Sequence, residues 1–476
     1  MDRVTKDKPT DVSTRREFLD FSIGGLSAAA MLTLDGQAQA ARAVSTSLGR
    51  AKRAIHICLI GGFSQVDSFD YKPLLERFDR KRMPGFVKPE TFFGVAGLMR
   101  KNEWEFKQRG QSGLWVSDLF PHLAKVADEL SVIRSMHSPS ANHTPAMFLQ
   151  NSGFAANGFP SLGSWLSYGL GNESDSLPTF VVLPDARSLP NSGAANWTSG
   201  FLPATHQGTL FESGETPIRD LFAAQPAERT AEAAARSLLA KLNRKHLQRR
   251  GDDLLHARVK AYELAAKMQT SIPEVINFAD ESQATQELYG LNRKETADCG
   301  RRCLMARRLV ERGVRFVQVF SGGAFGGKPR HGWDGHENNR VNHGREAKMI
   351  DQPVAALIQD LKRRGLLEDT LVLFTSEFGR TPFSHAPPRV LGLGRDHNPK
   401  GFSVWLAGGG AKRGTAYGAT DDVGWSAVEN RVSWPDFHAT VLHLLGIDHQ
   451  KLTFYHNGIH RRLTNVHGNV IHGVIG

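Results

Sequence analysis

Residues 53–60 read Arg-Ala-Ile-His-Ile-Cys-Leu-Ile and run directly into Gly61-Gly62. A short, continuous apolar run closed by glycines is the pattern of a strand buried on both faces. Runs of the same kind recur at 130–135, 179–183, 314–320, 370–375 and 402–407. Between several of them lie amphipathic helical patterns, at 299–312, 345–365 and 435–446. Apolar strands alternating with helices predict an α/β protein whose mostly parallel sheet is covered on both faces. Such sheets bind ligands at the carboxyl ends of their strands, so polar clusters directly after strands are where chemistry is expected.

The clusters fall there. Gly61–Asp67 follows the first strand, Ser135–His143 the second, Gly322–His336 the run at 314–320, and Ser376–Arg380 the run at 370–375. Imidazole and carboxylate donors together suit zinc, manganese or iron, while sets of oxygens alone suit calcium or magnesium. Asp67, Asp334, His336, Glu377, Asp396 and His397 are therefore candidate ligands for one or two divalent metal ions, with zinc, manganese and calcium all open. In Arg330–Asn339 (RHGWDGHENN) a loop can turn Asp334 and His336 toward one ion; alone, the triplet is a weak signal that reads more readily as a polar loop. Arg395-Asp396-His397-Asn398-Pro399 is a second mixed pair, ahead of a strand, with a hydrogen-bonded loop as its alternative. His331, His343 and His385 are further histidines that fit either ligands or ordinary loop positions.

Arg380, in Ser376–Pro382, offers a planar donor fork for a phosphate or sulfate oxygen, or for a salt bridge to Glu377. No G-x-S-x-G elbow is present, which argues against a serine-hydrolase triad of that kind. Ser64, Ser138, Ser140 and Thr144 lie in the right loops. Thr144 precedes a predicted helix, where a hydroxyl beside a metal becomes a nucleophile or simply caps the helix. His143 and Glu377 are placed to move protons.

The chain has 476 residues and a formal charge of +11. Thr14-Arg15-Arg16-Glu17-Phe18-Leu19 precedes an apolar run from Phe21 to Leu34 and then Ala38-Gln39-Ala40, the layout of a signal peptide of the twin-arginine kind. Residues 1–40 are thus expected to be a leader and 41–476 the mature domain, exported to the periplasm or cell envelope. The leader carries five basic and six acidic residues, leaving the mature part at +12. That balance suits an anionic substrate, a small molecule or a glycan. No helix-turn-helix, zinc-finger or RNP pattern points to nucleic acid. Basic residues crowd Lys241–Arg250 and Arg301–Arg312, both helical in pattern and both read as solvated faces. Three cysteines, Cys58, Cys299 and Cys303, are too few for a stapled fold. Residues 225–292, rich in helix formers and broken near Gly251, predict a two-helix insertion over the core.

Taken in order, GGFSQVDSFDYKP, SANHTPAMFLQNSG, GWDGHENN, SEFGRTP and GRDHNPKGFSVWLAGGG resemble an exported, sulfatase-like bacterial family of unknown function within the alkaline phosphatase superfamily. The resemblance runs from about Arg53 to the C-terminus. It implies an alkaline-phosphatase-like, three-layer α/β/α sandwich with metals held by Asp and His. By position, Asp67 stands near the first strand's carboxylate ligand, Asp334 and His336 resemble the middle ligand pair, and His397 the late histidine. Glu377 falls where an Asp-His pair is usual, with Phe378 in place of the histidine. Residues 138–153 resemble the nucleophile helix of sulfatases, with His143 or Thr144 at the reactive position, but the C-x-P-x-R signature of formylglycine is missing. Two functions are implied: an exported metal-dependent hydrolase of phosphate or sulfate esters, or a non-catalytic binding or assembly protein of the envelope. Convergence of the six candidate ligands in one pocket favours the first, and scattered or ion-paired carboxylates favour the second.

Overall fold

The computed structural model describes residues 49–83, 85, 90–212, 217–218, 221, 229–250, 253–323 and 332–476. The expected leader and His331 lie outside the described residues. All six apolar runs are strands. In chain order the elements that position the site are β1 (Arg53–Leu59), β2 (Leu130–Met136), β3 (Phe180–Leu183), β4 (Thr209–Leu210), β5 (Phe316–Ser321), β6 (Thr370–Ser376), β7 (Gly379–Ser384), β8 (Arg395–Asn398), β9 (Phe402–Ala407) and β10 (Thr415–Tyr417). Eight of them form one sheet in the order β10-β2-β9-β6-β1-β5-β3-β4. β1 lies at its centre, with Ile57 opposite Val319 on one side and Phe374 on the other, both parallel.

The alternation of side chains along β1 sorts the protein into three layers. Ile55, Ile57 and Leu59 face a core shared with α5 (Ala297–Glu311) and α6 (Asn339–Arg363). Ala54, Cys58 and Ile60 face a second core shared with α1 (His143–Ser152), α2 (Leu162–Leu170) and α7 (Trp434–Leu444). Each fully buried Ile or Leu contributes about 1.5–3 kcal/mol relative to an exposed one, so the central strand has no solvent face to carry polar residues. Beyond Arg53 at its start, His56 is the exception. It is buried and its Nε2 lies 2.7 Å from the Thr375 hydroxyl of β6.

One strand runs against the rest. β9 is antiparallel to both β2 and β6. Between β6 and β9 the chain makes no crossover helix. It leaves the carboxyl edge at Ser376, goes out along β7, returns along β8, and enters β9 from the same edge. A neighbour entered from the edge where the previous strand ended can only be antiparallel. The residues just ahead of β9, Arg395–Asn398, therefore lie on the rim where the parallel strands end.

The middle segment contains two long helices, α3 (Arg229–Arg250) and α4 (Asp253–Ile276). The basic run at 301–312 is not the solvated face that its composition suggested. Arg302, Arg307 and Arg308 are 3, 1 and 4 % exposed. They point inward because carboxylates wait there: Asp298 for Arg302, Asp360 and Glu311 for Arg307, and Glu281 for both Arg307 and Arg308. Cys299 and Cys303 of the same helix are buried and unbridged.

Burial lowers the pKa of His56 and His343 to about 3 and that of His438 to about 4, from an ordinary 6.5. Below 6.5 the unfolded chain takes up protons at these rings and the folded one does not, so stability present above that pH is lost as the pH falls. Urea midpoints should drop between about pH 7.5 and pH 5, and His56→Gln should flatten that slope. An unchanged slope would mean that His56 is not held neutral.

Candidate metal centre

β1 ends in a tight approach. Gly61 has φ +122°, and a Cβ there would sit 2.5 Å from the backbone nitrogen of Asp334. Only glycine lets the 332–336 loop pack flat on the strand end, which sets Asp334 and His336 over the carboxyl rim. α1 brings His143, its first residue, with Asn142 as the cap that accepts from the Thr144 N–H. β8 brings Asp396 and His397, and the loop after β7 brings His385.

These residues meet around one carboxylate oxygen. Asp334 Oδ1 lies 2.9 Å from His336 Nε2, 3.4 Å from His397 Nε2 and 3.5 Å from His143 Nε2, and it accepts from Arg380 Nη2 at 2.7 Å. Donor atoms of His143, Asp334 and His397 all fall within 4.8 Å of one another, and so do those of His336, His385 and Asp396. The two triads adjoin: His336 Nε2 is 2.9 Å from His397 Nε2, and His336 Nδ1 is 2.7 Å from His385 Nδ1. Two exposed rings cover them, Phe92 stacked on His397 and Phe93 on His385.

The rings are oriented from behind. His397 Nδ1 is 2.6 Å from the Ala141 carbonyl; a carbonyl only accepts, so the ring donates from Nδ1. Burial holds the His397 pKa well below its ordinary value, so its Nε2 carries a lone pair, and that lone pair faces Asp334. His143 donates from Nδ1 to Glu377 Oε1 at 2.8 Å, which turns its Nε2 to the same place. Burial would lower the His143 pKa, but Asp334 and Glu377 outweigh it and raise it. Burial would likewise raise Asp334, yet Arg380 and the three imidazoles hold it far below the usual carboxylate range. Imidazoles braced by a carbonyl or carboxylate, with their Nε2 atoms converging on a carboxylate, are the arrangement that divalent metals take. The residues fit such an ion.

Residues 51–475 match the family described as protein of unknown function, DUF1501. The chain belongs to that family. Comparison with curated proteins finds no match in sequence. Among solved structures it resembles the PsFucS1 sulfatase from Pseudoalteromonas sp., at 14 % identity over 90 % of this chain and 77 % of that one, TM-score 0.34. It also resembles a TAB5 alkaline phosphatase mutant, at 11 % identity, 84 % and 99 % coverage and TM-score 0.34. A third is a protein in the alkaline phosphatase superfamily from Vibrio parahaemolyticus, at 9 % identity, 88 % and 77 % coverage and TM-score 0.36. These likenesses are distant, and what the site can do is decided by its own side chains.

Of the six carboxylates and imidazoles singled out as ligands, Asp334, His336, Asp396 and His397 come together in the two triads. Glu377 stands one step behind them: Oε1 accepts from His143 and from the Gly61 N–H, and Oε2 from Ser376 Oγ. Phe378, standing where the resemblance places a histidine, packs on His143 and His397 at 4.9 and 4.5 Å. Asp67 joins neither triad. It is fully buried, pairs with Arg395 at 2.8 and 3.1 Å, and also accepts from Ser64, Asn339 and the Glu103 N–H. Arg380 is not placed as an anion clamp, because its donors are committed to Asp334 and to the carbonyls of Gly61, Gly62 and Arg395. Nor is it paired with Glu377. His143 stands among the ligand-type residues, and Thr144 lies half-buried just after it. His343 accepts from the Ser64 N–H at 3.0 Å, outside both triads.

His385 was the residue hardest to single out, because Ser384-His385-Ala386-Pro387 has no ligand spacing and only the return of the β7–β8 ribbon brings it in. The bracing of Asp67 by Arg395 was equally hidden, since the two are 328 positions apart. Removing one partner of so deeply buried a pair strands the other charge. Asp67→Ala should therefore cost about 3–5 kcal/mol in urea unfolding; a loss below about 1 kcal/mol would show that Arg395 finds other compensation.

Proposed function

We propose that this chain is a metal-dependent hydrolase of phosphate or sulfate esters, exported by the twin-arginine route to the periplasm or envelope. One observation carries the reading: three imidazole Nε2 atoms converge within 3.5 Å of the single Asp334 Oδ1. Four imidazoles and two carboxylates make a mixed nitrogen and oxygen set, which favours zinc or manganese over calcium. When bound, a divalent ion supplies Lewis acidity to an ester oxygen and lowers the pKa of a water.

The chain's own residues do the rest. Glu377 and the Ala141 carbonyl fix the tautomers of His143 and His397. Arg380 holds Asp334 ionised and in place, and the β7–β8 ribbon carries His385, Asp396 and His397 to the 332–336 loop and His143. Phe92 and Phe93 limit access of water to the rings they cover. The positive charge of the mature part suits an anionic ester, small or glycan-borne. Thr144, beside His143 at the start of α1, is the candidate hydroxyl nucleophile, with activated water as the alternative.

Elemental mass spectrometry on protein purified without chelator should find one or two zinc or manganese ions per chain, and Asp334→Ala/His336→Ala should lose them. Glu377→Gln should keep the ligands but weaken metal affinity about 10–100-fold, since it loosens the hold on His143. The loaded protein should hydrolyse aryl phosphates or aryl sulfates, and Thr144→Ala separates the two nucleophiles by abolishing or sparing turnover with metal retained. A folded wild-type chain that binds no ion even after zinc, manganese or calcium is added would sink the hydrolase reading and leave the non-catalytic envelope protein.

A further inference from the structure

The basic stretch at 241–250 belongs to α3, and its surroundings set it apart from the buried arginines of α5. From Thr230 to Arg250 the helix carries Arg236, Lys241, Arg244, Lys245, Arg249 and Arg250 against the single carboxylate of Glu232. All six cations are exposed. Leu238, Leu239 and Leu242 of the same helix are 59, 46 and 56 % exposed. At about 100° per residue, Leu238, Leu242 and Leu239 fall on one face, spanning about 100°. The half-buried residues Glu232, Ala240, Asn243 and Leu247 fall on another side, which is the one turned to α4, where Arg236 donates to Gln269 at 2.8 Å. Leu238 and Leu242 therefore point away from the body of the protein, and Leu239 continues the apolar face to the edge nearer α4. Lys241 and Lys245 border them on one flank, and Arg249 falls in line with them two turns on.

We propose that α3 docks this face on an anionic lipid surface, lying in the plane of the headgroups. The apolar stripe supplies burial into the acyl boundary, and the cations supply attraction to anionic headgroups. Charge complementarity selects this occupant over a second copy of the chain, because two such faces would bring like charges together. Among the described residues no helix is long and apolar enough to cross a membrane, so α3 lies on the surface and does not span it. Docked in this way, the protein would sit with its body held against the bilayer whatever its metal centre does.

The test is sedimentation of the full chain with vesicles of phosphatidylcholine alone and of phosphatidylcholine with phosphatidylglycerol. The leader is common to every chain compared, so the readout is the excess of binding to anionic over neutral vesicles. That excess should fall at least about tenfold in Leu238→Gln/Leu242→Gln and in Lys241→Glu/Lys245→Glu. It should stay within about twofold in Lys294→Glu/Arg301→Glu, which removes the same charge from exposed positions elsewhere. Unchanged thermal melting in all three variants shows that they fold. No excess in the wild type, or an equal loss in the Lys294/Arg301 control, would overturn the proposal. So would self-association in sedimentation velocity that the leucine variant abolishes, since the face would then belong to a second copy. Metal content, measured on the same samples, is independent of every one of these outcomes.

Discussion

A guanidinium with no exposed surface must find an acceptor for each of its donors, and Arg380 does so by gathering the whole rim around itself. Its donors reach the carbonyls of Gly61 and Gly62 at the end of β1, the Arg395 carbonyl at the start of β8, and the carboxylate of Asp334. Three segments far apart in the chain are thereby tied to one side chain. An unpaired buried charge is costly enough that none of these contacts can be given up singly. The position of Asp334, on which three imidazoles converge, is a consequence of where Arg380 finds its partners.

The second determinant is topological. A parallel sheet brings to its carboxyl rim only the residues that come after its strands, and here β9 reverses that rule for one strand. Because β7 and β8 leave and re-enter at the carboxyl edge, Asp396 and His397, which precede a strand, stand beside residues that come after strands. The same ribbon carries His385 back over the site, and its pairing of His397 with Arg380 fixes the register at which this happens. His385 and Asp396 of the second triad, and His397 of the first, are thus products of the excursion. A helical crossover in its place would have sent residues 385–398 to the far end of the sheet.

Much of this was legible in the sequence, for physical reasons that also mark the limits. A strand buried on both faces must be apolar throughout, so RAIHICLI and its five counterparts announced themselves, and with them the layered α/β fold. Local pairs such as Asp334 with His336 and Asp396 with His397 were visible because the members of each are near neighbours in the chain. Bracing was not visible, because a buried carboxylate looks the same in sequence whether it gathers three imidazoles, as Asp334 does, braces one from behind, as Glu377 does, or pairs with a guanidinium, as Asp67 does. The arginines of α5 misled in the same way. Arg302, Arg307 and Arg308 had the composition of a wet face until the carboxylates opposite them could be seen.

Charge balance at the rim gives the metal reading its final support. Among the described residues, and with the imidazoles counted as neutral, Asp334, Glu377 and Asp396 face one cation, Arg380, since Arg395 is matched by Asp67. Counted over those residues, a formal excess of two negative charges remains in a largely buried space, which is expensive without compensation. His143, caught between Glu377 and Asp334 with its pKa raised, can take up one proton and offset half of the excess. His397 cannot share that task, because burial keeps its ring neutral. A proton on His143 would also turn a donor toward Asp334 while leaving the His397 lone pair aimed at a carboxylate. One divalent cation resolves both difficulties at once, matching the excess charge and giving the converging lone pairs a common partner.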